Sequence, residues 1–204
     1  MIKQTLSWVL FALLAIAIGL YPLAYFFGDM SEALLGTKSE ALLADQIWNI
    51  AFYVHISFGG LALLIGWSQF IQKWRARQMN LHRRLGQLYI LSVLLSGVTG
   101  FYVALFATGG WVAIAGFATL AVLWLFTTYQ AYKSVREKDI LAHQNWMKRS
   151  YALTFGAVTL RLWLPLFLGV LAMDFIPAYR IIAWLAWVPN LLLVEWSIRR
   201  TLSS

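Results

Sequence analysis

The sequence predicts an all-α integral membrane protein, a bundle of six transmembrane helices, and three observations carry that prediction. Of 204 residues, 61% are hydrophobic and 12% are charged, whereas soluble domains carry about 25% charged residues. The apolar residues gather in six runs, each near the ~20 residues a helix needs to cross a bilayer. The connections between the runs are short and differ sharply in charge from one side to the other.

Residues 1–204 read as one membrane domain, with helices at about 7–27, 47–71, 85–106, 111–132, 150–173 and 180–198. The first run follows Lys3, contains Tyr21-Pro22 and lacks a small-x-small cleavage site. It is also too long for a typical signal core, so it reads as a retained helix. The connection from Gly28 to Gln46 sets Asp29, Glu32, Glu40 and Asp45 against Lys38. It repeats SEALL at Ser31–Leu35 and Ser39–Leu43 and is expected to be a loop cap without chemistry, with a short surface helix as the alternative. Helix two is uncharged apart from His55 and leads into the basic loop QKWRARQMNLHRR. Thr108-Gly109-Gly110 forms a tight turn between helices three and four. A second basic loop, Lys133–Arg149, precedes helix five, and Pro177 marks the turn into helix six.

Six crossings put both termini on one side. That side receives Lys3, Lys73, Arg75, Arg77, Arg83, Arg84, Lys133, Arg136, Lys138, Lys148, Arg149, Arg199 and Arg200, and the other receives Lys38 and Arg180. The positive-inside rule therefore places the N- and C-termini in the cytoplasm of a cell with the protein in its inner membrane. The net charge of +8 is explained by this orientation and by anionic lipid headgroups, without nucleic acid. The absence of cysteine excludes disulfides, thiolate metal ligands and Cys nucleophiles.

The strongest pattern lies in HQNWMKRSYALTFGAVTLRLWLP. Eighteen residues separate His143 from Arg161, five whole turns at 100° per residue and roughly 27 Å along a helix. Met147, Ser150, Thr154 and Ala157 share that face, and a polar stripe in a membrane helix must meet protein or a cavity. Helix two sets Gly59, Ala62, Gly66 and Gln69 on the face of His55, and helix three sets Gly86, Tyr89, Ser96, Gly97 and Gly100 on that of His82. Such small residues either let helices pack closely or make room for a flat ligand. Breaks inside the later spans are expected only at Pro165 and Pro189. His55 and Gly59 with Thr154 and Arg161 form the candidate ligand-binding set. An Arg at such depth needs a partner, which helix-end carbonyls, His55 or a ligand could supply. Glu195 is expected to pair with Arg199 at i,i+4. His82 and His143 sit at the basic mouths of helices three and five, whereas His55 lies about 24 Å from that end. One metal ion cannot be held by all three.

At HISFGGLALLIGWSQF, LHRRLGQLYILSVLLSGVTG and AHQNWMKRSYALTFGAVTLRLWLPL the chain resembles a bacterial family of predicted membrane proteins of unknown function, DUF2306. The resemblance points to His55, His82, Arg84, Gly86, His143, Trp146, Arg149 and Arg161 as motif positions and implies no activity. More loosely, the chain is similar to diheme b-type membrane cytochromes, which use four histidines on a four-helix core. Here there are three, with none on helix four. That similarity implies one haem b, with His82 and His143 as iron ligands and Arg83, Arg84 and Arg149 near the propionates. The first functional expectation is thus a haem-binding redox protein. The alternatives are a binding or transport protein for a small amphiphile such as a quinone or lipid, and a structural subunit of a membrane complex. No nucleotide-binding loop, catalytic carboxylate pair or Ser-His-Asp arrangement is legible, so the sequence leaves open whether the protein is an enzyme.

Overall fold

The computed structural model describes residues 2–28 and 34–202, with side chains from 6 to 28 and from 34 to 201. The Lys3 side chain, Asp29, Glu32 and most of the first SEALL copy lie outside the described residues. The described chain is all helical, and six helices are long and apolar enough to cross a membrane: Leu6–Phe27, Gln46–Phe70, Met79–Ala104, Trp111–Arg136, Ile140–Val170 and Phe175–Thr201. Numbered one to six, helices two to five form the core, with two packed along three, three along four and four along five. Helix one lies against two and five, and helix six against four and five.

Helices three, four, five and six each extend beyond the apolar runs. Most of the two basic loops is helical. Gln72–Arg77 is a short surface helix, and helix three begins at Met79, so His82 lies in its first turn. Helix four runs to Arg136 and helix five starts at Ile140, leaving a three-residue turn with Lys138 at φ 64°. Hydropathy misses these ends because they reach into water while remaining helical. Lys133 and Arg136 suit the negative end of a helix dipole. The Asp139 carboxylate caps helix five by accepting from the Ala142 N–H at 2.9 Å. Asp45 caps helix two in the same way, accepting from Ile47 at 2.8 Å.

Side chains with nothing to gain from the interior face outward, as Leu94, Val98, Leu192 and Leu193 do. Inside, small residues bring helices close. A Cβ on Gly60 would stand 2.6 Å from the Gly19 carbonyl oxygen and 2.9 Å from the Pro22 ring. The turn after helix three puts Gly109 and Gly110 at φ 110° and 71°, values that a side chain would strain.

Three spans depart from regular α-helix in mid-course. Pro22 accompanies a tight turn at Tyr21–Leu23 in helix one. Helix six breaks after Leu185: Pro189 has no N–H to give the Leu185 carbonyl, and the Trp163 indole donates to that oxygen instead at 3.3 Å. Helix five breaks at Phe155, which the sequence does not announce with a proline. Asn190 of helix six donates to the Ala152 carbonyl at 3.3 Å and to Thr159 Oγ1 at 2.8 Å, covering the gap. Thr159 in turn donates to the Ala186 carbonyl at 2.6 Å. Irregular backbone at membrane depth is tolerated where protein or a cavity satisfies it, so breaks are commoner than prolines suggest.

Candidate functional site

A cavity of about 230 Å³ runs from the end opposite the basic one toward the middle of the bundle, walled mainly by helices two, three, four and five, with helices one and six adding a few residues. His55, Gly59, Thr154 and Arg161 all line it, with Tyr25 and Tyr179 also on the wall. Most of the lining is apolar. Leu34, Leu35 and Lys38 close its far end.

His55 is held from helix three. Its Nδ1 lies 2.9 Å from the Ser96 carbonyl oxygen and 3.1 Å from Ser96 Oγ, while Ser96 Oγ donates to the His55 carbonyl at 2.8 Å. A carbonyl only accepts, so Nδ1 carries the proton and Nε2 is left as an acceptor. Nε2 has no hydrogen-bond partner among the described residues. Gly100 makes this seat: a Cβ there would fall 2.5 Å from Nδ1.

Arg161 donates once, to the Ala157 carbonyl at 3.0 Å, and its guanidinium carbon lies 4.5 Å over the Tyr21 ring. No carboxylate reaches it among the described residues. A guanidinium has five N–H donors, so this arrangement leaves most of its donor capacity facing the cavity. The Trp48 indole N–H, on the same wall, is buried with no partner among the described residues.

Sequence reasoning missed Lys38, reading its segment as a cap without chemistry. Lys38 donates to the Phe106 carbonyl at 2.6 Å and to Thr108 Oγ1 at 3.0 Å. Thr108 pairs with Thr37 Oγ1 at 2.9 Å, and Thr37 donates to the Leu34 carbonyl at 2.7 Å. Burial pushes the Lys38 ammonium down to about 8. The one legible signal was its isolation, since Lys38 and Arg180 are the cations of that side. Tyr25 and Tyr179 were also missed, being aromatics among many.

The residues expected around a haem lie outside this cavity. His143 Nδ1 donates to the Ala131 carbonyl at 2.8 Å. His82 lines a separate cavity at the basic end, whose wall contains no residue of helix five. Two turns deeper, Tyr89 bonds across to Ser150 at 2.8 Å and Thr154 at 2.7 Å, so helices three and five meet there. Arg149 forms a two-pronged ion pair with Glu195 and lies 4.5 Å over the Trp146 ring. Glu195 is therefore paired across helices five and six, and the expected Arg199 pairing gives way to it, because the Arg fork matches a carboxylate with two bonds. Arg83 and Arg84 are exposed. Among the described residues, no three His, Asp or Glu side chains are grouped to hold a metal ion.

No curated protein matches the chain, and no solved structure does. A family model described as a predicted membrane protein matches residues 52–198, the stretch that supplies the His55 seat, the breaks in helices five and six, and Arg161. Lys38 and helix one, which complete the cavity, lie outside that match. The chain belongs to the DUF2306 family of predicted membrane proteins.

Proposed function

We propose that this protein binds a small amphiphile, a quinone or a lipid, in the cavity lined by His55 and Arg161. The observation that carries the reading is the pairing of an apolar cavity with polar groups left open on its wall: His55 Nε2 as acceptor and Arg161 as donor. Small-molecule sites are concave, mostly apolar and supplied with a few placed polar groups. Arg161 suits an oxyanion or carbonyl head, and His55 suits a hydroxyl beside it. The charge asymmetry supports a cytoplasmic basic end, which sets the cavity in the outer half of the inner membrane.

The test is thermal stability of the purified protein in detergent with added decyl-benzoquinone or oleate. The wild type is expected to gain stability with rising concentration of at least one of them. Ala157→Phe, which fills the cavity beside Arg161, abolishes the gain. Stabilisation by neither compound, or equal stabilisation of the filled variant, sinks the reading.

One observation favours the haem reading: Nδ1 of His143 is tied to a carbonyl, which leaves Nε2 in the tautomer that metal-ligating histidines use. An absorption spectrum decides it. A Soret band lost in His82→Ala or His143→Ala supports haem, and a colourless, folded preparation from haem-replete cells dismisses it.

A further inference from the structure

The second cavity lies at the opposite end of the molecule and has a different chemistry. It measures about 280 Å³, and Arg75, Arg77 and His82 line it together with Ser68, Gln69 and Trp74. Its shape comes from the surface helix Gln72–Arg77, which folds back over the start of helix three. Neither arginine makes an ion pair among the described residues, whose ion pairs are Lys133–Glu137 and Arg149–Glu195. Arg75 and Arg83 lie close enough to His82 to act on it electrostatically. Two guanidiniums and an imidazole thus face one hollow with no carboxylate to neutralise them.

We propose that this hollow is a binding site for a phosphate oxyanion. Guanidinium forks match phosphate oxygens with paired hydrogen bonds, and the concave wall shields them from water better than an open surface would. Trp74, 55% exposed, stands at the rim as interfacial tryptophans do, and the exposed Leu81 and Leu88 continue from it down helix three. A phospholipid would seat its phosphate on Arg75 and Arg77 and lay an acyl chain along those leucines. A free phosphate ester would use the same arginines and ignore the leucines. The site is separate from the amphiphile cavity and does not depend on it.

Calorimetric titration of the delipidated full-length protein tests the proposal, with dihexanoyl phosphatidylglycerol and inorganic phosphate as probes. The wild type is expected to bind phosphatidylglycerol saturably, and the pair Arg75→Gln with Arg77→Gln to bind it about tenfold more weakly or worse, from lost charge-assisted bonds. The pair Lys133→Gln with Arg136→Gln, at the same end but outside the hollow, binds as the wild type does. Inorganic phosphate binding as tightly as the lipid identifies a free oxyanion as the ligand, and tighter lipid binding identifies a headgroup. Failure of both probes to bind the wild type overturns the proposal, as does undiminished binding to the double variant. If the double variant misfolds, the single Arg77→Gln at its exposed position carries the test, with a smaller loss expected.

Discussion

Two regions of this bundle hold polar side chains at membrane depth and treat them in opposite ways. Where helices three, four and five meet, Tyr89 bonds to Ser150 and Thr154, Thr128 bonds to Ser150 at 2.7 Å, and the Trp124 indole donates to Thr154 at 2.8 Å. All five side chains are buried and each has a partner. In the cavity toward the far end, His55 keeps a free acceptor, Arg161 uses one of its donors on the protein and Trp48 has none. A saturated network gains stability from its polar groups, whereas an unsaturated one loses some. Trp124 and Thr154 bring the first region to the cavity wall with their polar groups already used, so of the candidate set it is His55 and Arg161 that stay open there.

Substitutions break the comparison most strongly at the saturated centre. Gly66→Leu puts a Cβ 2.2 Å from the Tyr151 ring, and overpacking of that kind costs about 3 kcal/mol. The expected readout is loss of monodisperse protein. Tyr89→Phe comes next: it removes the hydroxyl that joins Ser150 to Thr154, each of which keeps another partner in Thr128 or Trp124, and costs about 1.5 kcal/mol, seen as a lower midpoint in thermal denaturation with ligand affinity unchanged. In the cavity the signs reverse. Arg161→Leu is expected to leave the midpoint where it was or raise it, while affinity for oleate falls about tenfold for one lost charged contact. A large drop in its midpoint would mean that Arg161 belongs with the structural set.

The smallest effect is set by pH. Lys38 is protonated below about 8 and neutral above it, so its attraction for an anionic head is present below that pH and lost above. Oleate affinity is expected to fall a few-fold between pH 7 and pH 9, by about 1 kcal/mol for an exposed to half-buried charge contact. Lys38→Met should bind weakly at both pH values, with a flat profile. A wild type as flat as the variant removes Lys38 from the site.

The six helices were legible because lipid demands long apolar runs. That His55 shares a face with Gly59, and Thr154 with Arg161, was legible from their 3.6-residue spacing, whereas the meeting of the two faces on one cavity depends on tertiary packing. Helix ends were not, since basic residues such as Arg83 and Arg136 are as compatible with helix as with loop. The break at Phe155 was hidden because its compensation comes from Asn190, thirty-five positions away in the sequence. The Arg149–Glu195 pair was hidden for the same reason, with a nearer cation, Arg199, offering a local alternative.

The chain of bonds from Lys38 through Thr108 and Thr37 to Leu34 works as a latch. It ties the segment entering helix two to the turn leaving helix three. Parting those two segments would break several linked bonds together. If the cavity takes an amphiphile, that latch favours visitors that come from the bilayer over those that come from water.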